Sequence, residues 1–539
     1  MAKRLPPNPW LGSIACGLLL VLAFAPIGWA WCGWLALTPA WMILRGSAPA
    51  RARPLRYGYA AGLLFIGGCF WWIGAAAPPG FIVMLAVLSF YVALWFLLVA
   101  RLLPAPMPDR PLPARELLPQ AALAAACWVC LEWLRGWFLS GFNWNDLGVS
   151  QSSSLHFRQL AALGGVPLLS FVLVLFAVFV GETIHALLRP GRGKWSQARL
   201  PAALGATVLA LAWVYGWHHL QRHENETPAQ IVRYACIQPN VAEIPYAQGN
   251  MSIIAPEEVR AFQVQQDLSS VAARQRPDLL LWPEAITTQR LTIDPLIVRS
   301  VRNVTAQYSG DLLLGAEEMD TAEKFYNCAY LLDRDPPSLQ SYRKIYLVVL
   351  GEYLPWSDEF PWLRKIWGSD ISFVAGKRPA LFTLSRGRAT LSPFICFEDT
   401  QPGLAMNAAR LDPDFFVTLT NDSWYSGIFA RWTLEQHLQN ALLRTVEHDR
   451  TLIRCANNGI SCEIDPDGTI IAEVQDVAGN AHNVRGVLAR SLLLFSPRPT
   501  LYERWGDWVV LFSQLAVIAP GILYLRNYIR LKFLRRKEL

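Results

Sequence analysis

A chain of 539 residues has room for more than one domain, and its 53% hydrophobic and 17% charged composition, with 23 tryptophans, excludes an ordinary soluble enzyme and points to a membrane protein. The net charge of +7 is unevenly spread, with +11 on residues 1–222, −9 on 223–525 and +5 on 526–539. The basic residues sit in loops between apolar runs, which makes nucleic acid a poor explanation for them, and the basic greasy part beside an acidic, more polar part suggests two domains in two environments.

A membrane-crossing helix needs about 20 mostly apolar residues. Seven such runs precede residue 222, at 11–25, 29–44, 57–74, 81–103, 117–138, 160–188 and 200–219, and an eighth spans 506–525. The first two are short and joined by Pro26-Ile-Gly28, the pattern of a tight hairpin. Lys3 and Arg4 followed by an apolar run resemble a signal peptide, but the next apolar run follows within a few residues, so an uncleaved anchor is expected.

Orientation follows from the loops, because Lys and Arg stay on the cytoplasmic side. Arg45, Arg51, Arg53 and Arg56 lie between runs two and three; Arg101, Arg110 and Arg115 between four and five; Arg189, Arg192, Lys194 and Arg199 between six and seven. The alternate loops are nearly free of basic residues, Arg135 and Arg158 excepted, and the tail from Arg526 is basic again. One topology fits every loop: eight spans, both termini cytoplasmic, and residues 223–505 outside, which in a bacterium means the periplasm. The expected division is a membrane domain at 1–222, an external domain at 229–495, a last span at 506–525 and a basic tail at 526–539.

Charged groups inside apolar runs are functional suspects. Glu132 and Arg135 stand three apart, the spacing of a local ion pair. Glu182 and His185 lie near the cytoplasmic end of run six, where they are expected to reach water. Ser140-Gly-Phe-Asn-Trp-Asn-Asp-Leu-Gly148 mixes aromatics, glycines and amides at the outer interface, either as an aromatic belt or as the edge of a lipid entrance. Ten cysteines are scattered with no readable pairing, and Cys127 and Cys130 form a CxxC inside an apolar helix, a poor setting for redox or metal chemistry.

The external region alternates strand and helix patterns. Strands are predicted at 229–238, 278–282, 311–316, 327–332, 390–397, 415–420, 451–456 and 461–464, and helices at 256–276, 293–308 and 432–447. Asp465-Pro-Asp-Gly468 is a hairpin turn. This is an α/β domain with its own core. Three residue types able to work together lie at or after strand ends: Glu284 in Trp282-Pro-Glu284, Lys344 in Tyr342-Arg-Lys344, and Cys396 in Ile395-Cys-Phe-Glu398. A thiol attacks carbonyls as thiolate and so needs a base and a positive field; glutamate can take the proton and a buried lysine can face the oxyanion. The eight histidines, His437 and His448 included, have no context favouring catalysis, and neither a metal cluster nor a cofactor motif stands out.

Trp-Pro-Glu284, then Lys344 followed by Gly351-Glu-Tyr-Leu-Pro355, then Cys396-Phe-Glu398 resemble the nitrilase superfamily, which places a Glu-Lys-Cys triad on an αββα sandwich. Thr420-Asn-Asp-Ser-Trp424 and the block from Glu435-Gln-His437 to Arg454-Cys-Ala-Asn-Asn-Gly459 agree. With seven spans before and one after, the whole chain resembles the family's membrane branch, the apolipoprotein N-acyltransferases. The resemblance implies that a phospholipid donates an acyl chain to Cys396 as a thioester, which then passes to the free α-amine of a diacylglyceryl cysteine at a lipoprotein N-terminus. It assigns Glu284 as general base and Lys344 as oxyanion stabiliser, with Glu352 and Glu398 as further glutamates and Trp424 as a loop residue near the site. Its partners are a phospholipid donor, a diacylated apolipoprotein acceptor and the lipid bilayer, with no cofactor, metal or nucleic acid. The chain departs from the family pattern at Val349 and Leu350 (usually Pro-Phe), at Phe397 (usually Tyr) and at Asn143 (usually Pro), as a divergent paralogue would. The family's lipoprotein-facing motif ending in Lys-Trp is not recognisable around Gln238-Pro-Asn-Val241. Residues 346–367 and 422–430, rich in aromatics, are candidate lids. Two other readings stay open: a membrane-anchored nitrilase-type amidase, and a non-enzymatic lipoprotein-binding or transport protein.

Overall fold

The computed structural model describes residues 8–104, 112–138, 141–189, 194–222, 227–241, 256–284, 301, 303–306, 310–332, 339–357, 359–362, 372–423, 430–496 and 498–535. The chain divides into two compact units, Met1–Arg222 with Arg504–Leu539, and His223–Glu503.

Among the described residues of the first unit, Pro78–Leu102, Ala114–Arg135, Phe157–Leu187 and Lys194–Leu220 are long and apolar enough to cross a membrane, and Pro9–Leu22 and Trp508–Tyr524 are shorter apolar helices. The apolar run at 29–44 is not one helix. It divides into Ala30–Leu35 and Thr38–Gly46, because Pro39 has no N–H and its ring collides with the carbonyl four residues back. The run at 57–74 becomes Pro54–Phe70 plus a single turn, Ile73–Ala76. Seventeen helical residues reach about 26 Å, short of a hydrocarbon core of about 30 Å. The run at 506–525 is extended, as the helix continues from Trp508 to Arg535.

The charged residues of these runs also differ from expectation. Glu182 does not reach water; it is buried, accepting from Arg45 Nε at 2.6 Å and from the Trp41 indole at 2.9 Å. Glu132 and Arg135 do not pair with each other, because the segment that follows offers each a better partner. Arg135 pairs with Asp146, while Glu132 Oε1 accepts the Trp128 indole N–H at 2.7 Å and the Leu147 N–H at 2.6 Å. These bonds tie the end of the helix Ala114–Arg135 to the segment around Asp146 and Leu147. His185, half-buried, lies 3.2 Å from an Arg189 Nη2.

Among the described residues the second unit holds twelve strands in two six-stranded sheets, ordered β12-β1-β2-β3-β4-β5 and β11-β10-β9-β8-β7-β6. The first sheet is built from β1 (Gln230–Gln238), β2 (Leu279–Leu281), β3 (Asp311–Met319), β4 (Phe325–Leu332), β5 (Leu339–Arg343) and β12 (Gly486–Leu494). The second is built from β6 (Phe382–Thr383), β7 (Thr390–Ile395), β8 (Phe415–Thr420), β9 (Leu452–Ala456), β10 (Cys462–Ile464) and β11 (Ile470–Glu473). At the centre of each sheet three strands run parallel, β1-β2-β3 and β7-β8-β9, with antiparallel strands outside them.

Strand alternation builds the layers. Val232, Tyr234, Cys236, Leu279 and Leu281 of one sheet join Leu391, Ile395, Val417 and Ile453 of the other in a core between the sheets. Ala235, Ile237, Leu280 and Leu312 face the opposite way, toward Ala272 of the helix Pro256–Ala273. Phe394, Phe416 and Leu452 pack outward on the helices Pro402–Ala409 and Ala430–His448. The result is helix, sheet, sheet, helix. Strands β5, β6, β11 and β12 and the helix Pro402–Ala409 are not among the elements expected from the sequence. The predicted helix at 293–308 lies largely outside the described residues, with helix recorded at 301 and 303–306.

Candidate active site

Parallel strands of one sheet end on one edge, so the residues just past them converge. Glu284 follows β2, Cys396 follows β7, and Thr420-Asn-Asp422 closes β8, while Lys344 follows the antiparallel β5. Lys344 is buried, 1% exposed, with Nζ 2.7 Å from Glu352 Oε1 and 3.3 Å from Glu284 Oε1. Burial alone would lower its pKa, but Glu284 and Glu352 outweigh that and hold it well above 10.5, so the ammonium stays charged.

Both carboxylates are fixed from several sides. Asn327 of β4 donates to Glu284 Oε1 at 2.7 Å and to Glu352 Oε1 at 3.1 Å, the Asn421 N–H to Glu284 Oε2 at 2.9 Å, and the Val348 N–H to Glu352 Oε2 at 2.8 Å. Burial, assisted by the charge on Glu352, raises the Glu284 carboxyl above its ordinary value although Lys344 pulls the other way. A carboxylate with a raised pKa is a better proton acceptor, as a general base requires.

Cys396 takes φ +52, in the left-handed region, at the junction of β7 with the 3-10 turn Cys396–Thr400. For a residue with a Cβ this conformation costs about 1–3 kcal/mol and persists where the surroundings hold it. Here the turn lifts the thiol off the end of the strand and leaves the residue half-buried. Loss of water around the sulfur, followed by the nearby Glu284, raises the thiol pKa well above 9.0, while Lys344 opposes the shift and the Thr420 hydroxyl is a hydrogen-bond partner. The resting Cys396 side chain is therefore a thiol, which becomes a thiolate only with the help of a base.

Glu398 does not join the Glu284–Lys344–Glu352 network. Its Oε1 accepts from the Tyr342 hydroxyl at 2.7 Å and from the N–H groups of Ile345 and Tyr346 at 2.6 and 3.1 Å; its Oε2 accepts from the Ile395 N–H at 2.8 Å. Burial raises it to about 7, against Lys344 and these hydrogen bonds. It fastens the backbone after Lys344 to the backbone before Cys396, a bracing role. Phe397, lacking the family's hydroxyl, is buried. Trp424 lies outside the described residues, as do parts of both candidate lids.

Sequence reasoning missed Asn327, which shows only as an amide in an otherwise apolar and aromatic strand, and a charged group around His437. His437, which the sequence gives no context favouring catalysis, has its Nε2 3.3 Å from the Cys396 carbonyl oxygen and 2.9 Å from Asp399 Oδ1, and its Nδ1 3.1 Å from Asp422 Oδ1. Arg454 of β9 reaches Asp399, Asp422 and the same ring.

The paired sheets, with glutamate, lysine and cysteine gathered past their strand ends, define a carbon–nitrogen hydrolase domain of nitrilase type, and the carbon-nitrogen hydrolase family model matches residues 244–480. Residues 16–179 match the model of the apolipoprotein N-acyltransferase N-terminal domain. An apolipoprotein N-acyltransferase from Azotobacter vinelandii is 31% identical over 547 residues, covering 96% of this chain and 96% of that protein; one from Geobacter metallireducens is 27% identical over 482 residues, covering 86% and 87%. The chain belongs to the apolipoprotein N-acyltransferase family. Among solved structures, an amidase from Nesterenkonia sp. is similar at 18% identity and a TM-score of 0.35, over 50% of this chain and 92% of that one.

Proposed function

We propose that this protein transfers an acyl chain from a phospholipid to the α-amine of the N-terminal diacylglyceryl cysteine of lipoproteins, through a thioester on Cys396. The observation that carries the reading is the buried Lys344 ammonium held by Glu284 and Glu352, with Cys396 on a left-handed turn beside them. In the first half-reaction Glu284 takes the thiol proton as Sγ attacks the ester carbonyl carbon. The oxyanion forms against Lys344, and its collapse breaks the ester C–O bond. Glu284 returns the proton to the departing oxygen, releasing a lysophospholipid. In the second, the acceptor amine attacks the thioester, Glu284 takes the ammonium proton, and breakage of the C–S bond returns that proton to sulfur. Glu352 keeps Lys344 in place, and Trp424 follows the Thr420-Asn-Asp422 segment that positions Glu284.

The alternating basic loops support eight spans with both termini cytoplasmic and the catalytic domain on the far side of a bacterial inner membrane. Two lipid substrates suit a catalytic domain anchored at both ends, whereas a small-amide hydrolase needs no such membrane domain.

The test is chemical trapping. Purified protein given phosphatidylethanolamine with a clickable acyl chain should form a thioester, released by hydroxylamine, that Cys396→Ala does not form. Adding a diacylated lipopeptide should convert it to N-acylated peptide. Release of free fatty acid without N-acylation would establish a hydrolase instead, and wild-type protein that never forms the adduct would favour a non-enzymatic lipoprotein-binding or transport protein.

A further inference from the structure

Four buried charged groups from four elements meet behind the nucleophile: His437 on the helix Ala430–His448, Asp399 in the turn after Cys396, Asp422 just past β8, and Arg454 in β9. None of them belongs to the Glu284–Lys344–Glu352 network. With the ring protonated, two carboxylates balance one guanidinium and one imidazolium. With the ring neutral, a net negative charge stands close to a sulfur that must itself become negative.

The bonds around the ring are asymmetric. At Nδ1 the partners compete, since Asp422 Oδ1 at 3.1 Å asks for a proton and Arg454 Nη2 at 2.9 Å asks for a lone pair. At Nε2 they agree. The Cys396 carbonyl oxygen is its hydrogen-bond partner at 3.3 Å, and Asp399 Oδ1 stands 2.9 Å away as an ion-pair partner outside hydrogen-bond geometry; both are acceptors only, so Nε2 carries the hydrogen. Burial and Arg454 oppose protonation of the ring, Asp399 and Asp422 favour it, and the balance raises its pKa to about 9.

That donor falls on a peptide that needs holding. The left-handed Cys396 is unfavourable by itself. Glu398 secures the Ile395 N–H on the near side and the Thr400 hydroxyl donates to the Phe397 carbonyl on the far side. The Cys396 carbonyl lies between them, so a bond to it fixes ψ at Cys396 and helps hold the turn that carries the thiol.

We propose that His437 is a positioning residue for the acyl-transfer nucleophile: its Nε2–H holds the Cys396 carbonyl oxygen and so keeps Cys396 in the left-handed turn that presents Sγ to the acyl donor. Asp399, Asp422 and Arg454 orient the ring. The role rests on the thioester reading of Cys396 but is separable from it.

The test compares His437→Gln, whose amide N–H falls near the Nε2 position, with His437→Asn, whose amide falls near Nδ1, and His437→Ala. Single-turnover acylation of Cys396 by labelled phospholipid, with thermal unfolding of the same preparations, supplies the readout. Glutamine should keep the rate within about tenfold of wild type, while asparagine and alanine should lower the maximal rate at least about 100-fold with the donor's half-saturating concentration unchanged, the scale of about 3 kcal/mol lost in the transition state alone. Equal rates for glutamine and asparagine, a loss expressed as weaker donor saturation, or an alanine protein acylating within threefold of wild type would each overturn the proposal. Should alanine fail to fold, the glutamine–asparagine pair still decides. Wild-type protein that forms no adduct overturns the thioester reading and this role together, whereas a wild-type adduct with indifferent variants overturns this role alone.

Discussion

Lys344→Met should lower Cys396 acylation by about 10²–10³-fold, the effect of removing an oxyanion donor, and should cost about 3–5 kcal/mol of stability, the effect of stranding a buried ion-pair partner. The ammonium lies 2.7 Å from Glu352 and 3.3 Å from Glu284, and all three groups are buried. Methionine fills nearly the same volume, so packing is conserved while the charge disappears. Two carboxylates are then left facing each other with Asn327 as their shared donor. Their simplest relief is to bind a proton, and a protonated Glu284 cannot take another from the thiol, so loss of the cation disables the base as well. The two losses act on one step and will not add. Lys344→Met combined with Glu352→Gln should regain most of the stability without regaining the rate. Denaturant unfolding and single-turnover acylation measure the two quantities separately. A Lys344→Met protein as stable as wild type would mean that the lysine does not bear the ion pairs described.

Cys396, Glu284 and Lys344 stand out in the sequence as candidates because each lies within a few residues of a strand, and strands announce themselves locally. The apolar pattern runs through Cys396 to Phe397, whereas β7 ends at Ile395, because a left-handed turn leaves no mark on that pattern. Strand β12 lies beside β1 although about 250 residues separate them, and its pattern of apolar and exposed residues names no partner. Contacts made across the fold were equally silent. Asn327 reaches Glu284 across 43 residues, His437 reaches Cys396 across 41, and Arg454 reaches Asp399 across 55. In the first unit the apolar runs located the helices, but Pro39 set a break that composition averaged away, and Asp146 took Arg135 from the nearer Glu132. Chemistry carried by residue type was readable; chemistry carried by a distant donor was not.

Glu284→Gln should slow acylation by about 10²–10⁴-fold, the range for loss of a general base, and should change its pH dependence. Both carboxylate oxygens of Glu284 only accept: Oε1 from Asn327 and Lys344, Oε2 from the Asn421 N–H. A glutamine amide turned one way sets its NH2 against Lys344, and turned the other way sets it against Asn421, so the isosteric change also costs about 1–3 kcal/mol for the mismatch. Burial raises the wild-type carboxyl above its usual value near 4.5. The folded state therefore holds this proton more tightly than the unfolded chain does. Ionised Glu284 opposes folding above its folded pKa, and that cost disappears as the pH falls through the folded value toward the unfolded one. Activity runs in the opposite sense, because only the carboxylate accepts the thiol proton. The wild-type acylation rate should fall on the acid side through a pKa above 4.5, in the range where the protein is gaining stability from the same group, so acid unfolding does not explain the loss. The glutamine variant should lack that limb and keep a low, flatter rate. If the limb persists in Glu284→Gln, the base is another carboxylate, and Glu352, which shares both Lys344 and Asn327, is the residue to replace next.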